Sequence, residues 1–143
     1  MTLSDDSSIE SLALRFIDAR LPKAEWTHEG HFAAALWLCR HRPDLAAPDE
    51  IRTLITRYNA ATGTPNTETE GYHHTITLAS MRAAHHHLRS HAPDAPLHQV
   101  LRALMASAHG RTDWLLAYWH RDTLFSPAAR RAWHAPDKAD MPF

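Results

Sequence analysis

The chain has 143 residues, 44% of them hydrophobic, which is enough for one domain with its own core. Its 15 basic and 16 acidic residues give a formal net charge of −1, so the charge offers no basis for binding nucleic acid or an anionic membrane. A single cysteine, Cys39, excludes an intrachain disulfide. Together with a polar, acidic N-terminus unlike a signal peptide, it favours a cytoplasmic location. No apolar run approaches the roughly 18 residues of a membrane-spanning helix.

The first helix is predicted to begin with a capping box formed by Ser7 and Glu10. It should end before Pro22, because the residue that precedes a proline avoids the α region. The second helix is predicted to follow Thr27 as its N-cap and to run to about Arg42.

Histidines occur at the start of this second helix, on its apolar side. On a helical wheel, His28 and His31 fall within an apolar arc of about 160° that also contains Phe32 and Leu38. Because residues three apart are neighbours on a helix, both imidazoles could reach one point inside the protein. Trp26, just before the cap, is expected to pack against position 31.

The third helix is predicted to begin at Pro48, a favoured first helical residue, and to end at Gly63. Near its end, Asn59 is expected either to cap the helix through hydrogen bonds or to line a pocket. A long fourth helix is predicted over Glu70–Ser90. A β-strand is the alternative for Tyr72–Thr77, because this segment is rich in β-branched residues.

On the fourth helix, Tyr72 points towards the core and His73 flanks it. Glu70 and His73 are three residues apart, so a carboxylate and an imidazole would share one flank of the helix. The run His85–His87 spreads around the wheel, and only His87 is expected near the core. We therefore predict that this run forms a solvated surface.

A fifth helix should begin at Leu97 and end before Gly110. A short sixth helix is predicted after Asp113, and a last short helix from Ser126 through Trp133. The fold predicted for residues 1–143 is therefore a single all-α domain, an irregular bundle of about five main helices plus one or two short C-terminal helices.

The first functional hypothesis is a metal-binding protein, or a mononuclear metal-dependent enzyme. Neutral imidazole is the commonest metal ligand, and His28, His31 and His73 are predicted to hold a divalent transition metal such as zinc, iron or nickel. Glu70 would serve as a further ligand or as the catalytic general base. A dimetal centre is disfavoured, because it needs two Glu-x-x-His elements and two further inward glutamates, and the chain has one such element. The alternative is that these histidines are simply hydrogen-bonded core residues.

Two further hypotheses come from other functional classes. The chain could be a non-catalytic protein that binds a small molecule through its buried histidines, with Tyr72, Asn59 and His74 as ligand-binding residues. It could also be an interaction module in which the aromatic C-terminal segment forms a homodimer interface. Bound metal would separate the first hypothesis from the other two.

Several motifs extend over the chain from Trp26 onward. They are Trp-Thr-His-x-x-His at 26–31, Arg-Tyr-Asn at 57–59, Tyr-His-x-Thr-Ile-Thr at 72–77, Leu-Phe-Ser-Pro at 124–127 and Met-Pro-Phe at 141–143. This set resembles a family of small, uncharacterised bacterial proteins. The resemblance implies that these residues act together, and it implies no catalytic assignment.

Overall fold

The structure is a computed structural model that describes residues 2–143, and it confirms the all-helical fold. Five main helices are followed by two short ones, and no β-strand occurs among the described residues. The helices are α1 (Asp6–Ile17), α2 (His28–His41), α3 (Pro48–Ala61), α4 (His74–Arg89), α5 (Leu97–Ala106), α6 (Arg121–Leu124) and α7 (Pro127–Arg131). Short 3₁₀ turns lie at Lys23–Glu25, Ala108–Gly110 and Trp114–Ala117.

Side-chain caps begin α2 and α7 at the predicted residues. Thr27 accepts a hydrogen bond from the first turn of α2 at 3.0 Å, and Ser126 does the same for α7 at 3.2 Å. The capping box predicted at Ser7 is wrong. Asp5 is the N-cap of α1, and its carboxylate accepts from the Ser8 N–H at 2.7 Å. A carboxylate suits this position because it also interacts favourably with the helix dipole.

The start of α4 differs from the prediction, since the helix begins at His74 and not at Glu70. Gly71 has a φ of +81°, a left-handed conformation that no helix continues through. His73 is the N-cap, and its Nδ1 accepts from the Ile76 N–H at 3.2 Å. The strand considered for this segment is likewise not formed.

The central element is α2, which packs against α1, α4 and α5. Every residue from 32 to 38 is buried, because this stretch is apolar on all sides. The core around it includes Phe16, Tyr58, Leu104 and Trp119, all of which are fully buried.

The aromatic C-terminal segment lies mostly inside the domain. Trp114 and Trp119 are buried, and Trp133 packs edge-on against Trp119 with ring centroids 5.8 Å apart. Phe125 and Leu14 are the large hydrophobic side chains that stay exposed among the described residues. The homodimer interface therefore stays a prediction, with little aromatic surface to form it. Within residues 2–143, no helix combines the length and apolarity that crossing a bilayer requires.

Candidate functional site

A cavity of about 750 Å³ lies beside α2 and is walled by α3, α4 and the C-terminal segment. Its volume is within the range of small-molecule sites, roughly 300–1,000 Å³. The lining is largely apolar and includes Phe32, Leu38, Ile55, Ile76 and Leu124. Of the residues predicted as a site, five line this cavity, namely His28, His31, Asn59, Tyr72 and His73.

His31 has one ring nitrogen committed and one free. Its Nδ1 lies 2.6 Å from the carbonyl oxygen of Thr27, which can only accept, so Nδ1 carries the proton. Nε2 is then an unprotonated acceptor, and it contacts no hydrogen-bond donor among the described residues. The helical wheel predicted that the ring of His31 is buried, but the residue is exposed. The ring lines the cavity, so solvent reaches it there although protein atoms surround it on its other sides. This surrounding protein lowers the pKa of His31 to about 4, so the ring is neutral at physiological pH.

Aromatic stacking holds the His31 ring in place. Trp26 lies with its ring centroid 3.9 Å from that of His31, which confirms the predicted contact between these positions. On its other side, Trp26 stacks on Phe16 at 4.5 Å. Tyr58 lies 5.2 Å from Trp26 and donates a hydrogen bond to the Leu21 carbonyl at 3.0 Å. The stack therefore anchors one wall of the cavity to the core.

Asn59 is buried and lines the cavity. Its amide nitrogen donates to the Asn66 side-chain oxygen at 3.0 Å, which leaves its own side-chain oxygen as an acceptor without a partner in the described chain. The same Asn66 oxygen accepts from the Tyr72 N–H at 3.1 Å. Asn66 thus ties the loop before α4 to the end of α3.

Tyr72 and His74 form a buried pair. The Tyr72 hydroxyl lies 2.6 Å from Nδ1 of His74. Burial raises the pKa of Tyr72 to about 12, so the phenol stays protonated and donates to the imidazole. The ring of Tyr72 lines the cavity, whereas His74 lies behind it and does not. His74 therefore supports Tyr72 from outside the lining of this cavity.

Both ring nitrogens of His73 already form hydrogen bonds with other parts of the chain. Nδ1 accepts from Ile76, and Nε2 donates to the Leu124 carbonyl at 2.6 Å. Burial lowers the pKa of His73, which keeps the ring neutral. Neither nitrogen has a lone pair left for a metal ion.

Glu70 is exposed in the loop before α4 and does not line the cavity. The predicted helical flank shared by Glu70 and His73 is wrong, because Gly71 separates Glu70 from the helix. Among residues 2–143, no three His, Cys, Asp or Glu side chains are grouped as metal ligands. The predicted ligand set of His28, His31 and His73 is therefore not assembled as one group.

A second histidine cluster joins α4 to the turn after α5. Nε2 of His87 lies 2.8 Å from Nδ1 of His109, and Nε2 of His28 donates to the His109 carbonyl at 2.8 Å. Burial lowers the pKa of His87 to about 4 and also lowers that of His109. His109 could not be identified from the sequence, because no periodic pattern distinguishes it. The prediction for the histidine run is confirmed, since His87 is half-buried while His85 and His86 are exposed.

Replacing His73 should destabilise the domain far more than replacing His85. We expect His73→Ala to cost about 2–4 kcal/mol, because it removes an N-cap and unpairs the buried Leu124 carbonyl. His85→Ala should stay within about 0.5 kcal/mol, as at ordinary surface positions. His73→Asn keeps a capping group and should fall between them. Urea denaturation measures all three, and equal midpoints for the two alanine variants would contradict this role of His73.

Most of the residues predicted as a site line the cavity. Arg130 and Ser80 also line it, although neither was predicted as a site residue. The helical wheel places Ser80 beside the apolar face of the fourth helix, but it was not selected as a site residue, and no local signal distinguishes Arg130. Comparison of the chain with protein-family models, with curated proteins and with solved structures gave no match.

Proposed function

We propose that this protein binds a small molecule in the cavity beside α2. The observation that carries the proposal is the free Nε2 of His31, held in a cavity of about 750 Å³ with its tautomer set by the Thr27 carbonyl. A largely apolar cavity with a few fixed polar groups is the usual form of a small-molecule site.

Three polar groups without protein partners support recognition of a polar ligand. His31 offers an acceptor at Nε2, Asn59 offers its side-chain oxygen, and Ser80 offers a hydroxyl that both donates and accepts. The ligand would therefore carry at least one N–H or O–H donor. The surrounding apolar wall would contact the rest of it.

Binding without catalysis has the better support. A general base at neutral pH needs a pKa near 7, and the pKa of His31 is about 4. Its Nδ1 donates to a carbonyl, so no carboxylate stabilises a protonated ring. Glu70, the predicted general base, does not line the cavity.

A fragment screen by ligand-observed NMR tests the proposal. Fragments with an N–H or O–H donor should bind the wild type, and His31→Ala should weaken them roughly three- to tenfold, since one hydrogen bond contributes about 0.5–1.5 kcal/mol. Ile55→Trp, which adds bulk to the half-buried wall, should abolish binding. The matched control is His85→Ala, which should bind like the wild type.

Fragments that bind Ile55→Trp and His31→Ala as well as the wild type would contradict the proposal. Circular dichroism of each variant separates loss of binding from loss of fold. An absence of any hits from a broad fragment set would also count against it.

Metal binding is the second candidate, and its support is now limited to α2. His28 keeps Nδ1 without a partner and His31 keeps Nε2, and the two residues are three apart. Elemental analysis of untagged protein, purified without immobilised metal, tests it. About one ion per chain, lost in a His28→Ala, His31→Ala double variant, would support a metal site, whereas metal-free wild type would exclude it.

A further inference from the structure

Arg130 is the one residue of the described chain with a buried side-chain nitrogen that has no hydrogen-bond partner. It lies on α7 and lines the cavity. Its Nη1 donates to the Gly71 carbonyl at 3.0 Å and lies 3.4 Å from that of Tyr72. The unpartnered atom is Nε. A buried donor of a charged group without an acceptor is costly, so a small rotation of the side chain that brings this nitrogen to an acceptor in the cavity would be favourable.

The geometry of the guanidinium limits what that acceptor can be. Nη1 is engaged with the backbone, whereas Nε and Nη2 donate to no described residue. These two nitrogens form one edge of the guanidinium, with parallel N–H groups that match the two oxygens of a carboxylate. No ion pair within residues 2–143 involves Arg130, so this edge has no protein carboxylate to bind.

The charges around the cavity also favour an anion. Lys23, Arg121 and Arg130 line it, against a single carboxylate, that of Asp113. Asp113 is already paired with Arg111 at 3.3 Å. The cationic excess lies next to a largely apolar lining, so the charge of a bound anion would be balanced while its body is desolvated.

We infer that the ligand of this cavity is a carboxylate with an apolar body, whose carboxylate group binds the guanidinium of Arg130. The inference rests on the proposed function, because it names the class of molecule that the same cavity takes. An O–H or N–H group elsewhere on that molecule would reach His31. Arg130 is then a binding residue that also holds the 71–72 backbone in place.

Calorimetric titration with matched probes tests the inference. The probes are 4-phenylbutyrate and octanoate, each compared with its primary amide, which has the same shape and no charge. The amide also carries an N–H donor that the carboxylate lacks, so any hydrogen bond to His31 favours the amide and works against the expected preference. The wild type should bind each carboxylate at least about tenfold more tightly than its amide, since charge-assisted bidentate pairs are the strong ones. Arg130→Gln should remove this preference. Arg130→Lys keeps the positive charge but lacks the two parallel N–H groups, so it should reduce the preference.

Arg131→Gln is the matched control on the same helix. Arg131 is exposed, pairs with Glu68 at 3.1 Å and does not line the cavity, so this variant should keep the full preference. If Arg130→Gln fails to fold, the comparison of Arg130→Lys with Arg131→Gln still decides the result.

The outcomes separate the inference from the proposed function. Equal binding of carboxylates and amides, both lost in Ile55→Trp, would overturn the carboxylate and leave the small-molecule site intact. A carboxylate preference that survives Arg130→Gln would overturn the role of Arg130. If no probe binds at millimolar concentration while the fragment screen finds other ligands, the inference fails and the proposed function stands. If neither the fragment screen nor the calorimetric titration detects binding, the inference and the proposed function are both overturned.

Discussion

Lowering the pH from about 7.5 to about 4.5 is expected to remove several kcal/mol from the stability of this domain. The cause is a set of neutral histidines, buried or half-buried, that must become charged when the chain unfolds at acidic pH. A histidine whose folded pKa is depressed binds fewer protons folded than unfolded. Its stabilising effect is therefore complete above its ordinary pKa of 6.5 and is lost as the pH falls towards the folded value.

The pair His87 and His109 is one source of this loss. The two rings share one hydrogen bond of 2.8 Å between nitrogens, so one nitrogen must donate and the other must accept. Protonating both rings would leave two donors facing each other. A pKa of about 4 for His87, against 6.5 unperturbed, corresponds to at most roughly 3 kcal/mol, at about 1.4 kcal/mol per pH unit.

His73 and His74 add to this loss in the same direction. The first cause in each case is burial, which lowers both pKa values, and the charges of Arg130 and Arg52 also lower them. Carboxylates with lowered pKa values, such as those of Asp6 and Asp137, lose stabilisation only below about pH 4. The range from about 7.5 to 4.5 therefore reports on the histidines.

Thermal and urea denaturation across this range measure the effect. His87→Gln carries a donor and an acceptor but does not titrate here, so it should lose distinctly less stability on acidification than the wild type. His85→Gln, at an exposed position of the same helix, should behave like the wild type. A wild-type midpoint that does not move between these pH values would contradict the neutral histidine cluster.

Replacing Gly71 with alanine is expected to cost more than about 2 kcal/mol. Its φ of +81° costs an L-residue roughly 1–2 kcal/mol. A Cβ at Gly71 would also lie 2.2 Å from the Pro65 carbonyl oxygen and 2.9 Å from Cα of Asn66, both backbone atoms that cannot move alone. The loop that carries Tyr72 and accepts from Arg130 would have to shift.

Gly63 provides the matched control. It has a similar φ of +78°, and a Cβ there would meet nothing within 4 Å. Gly63→Ala should therefore show the backbone cost alone, about 1–2 kcal/mol. The difference between the two variants in urea denaturation reports the close approach at Gly71, and equal losses would show that the loop relaxes freely.

The caps of α2 and α7 and the apolar helix faces could be predicted because their physics is local, whereas the cap predicted at Ser7 was wrong. Thr27 bonds the first turn of its own helix, and Ser126 does the same in α7. The contact between Trp26 and His31 joins positions five apart around a helix start. Such contacts depend on residue types within one or two turns, and these types are visible in the sequence.

The start of α4 could not be predicted, although every residue involved is close in the chain. Glu70 suits the first turn of a helix, and the wheel therefore extended the helix back to it. The side chain of Asn66 prevents this extension of the helix. It accepts from the Tyr72 N–H and donates to the Thr56 carbonyl, and so holds Gly71 in a left-handed turn. The carboxylate assigned to catalysis consequently points into solvent.

The sequence by itself determined the all-α class and most of the main helices, because helical periodicity marks their apolar faces. Tyr72 and His73 precede α4, so helical periodicity does not explain why they line the same cavity as His28, His31 and Asn59. Only the tertiary structure decided what each of them does. Nε2 of His73 binds the Leu124 carbonyl 51 positions away, Nε2 of His28 binds the His109 carbonyl 81 positions away, and Arg130 reaches the Gly71 carbonyl 59 positions away. Every residue carries a carbonyl, so these partners have no signature in the sequence, and the fold alone selects which nitrogens they occupy and which remain free for a ligand.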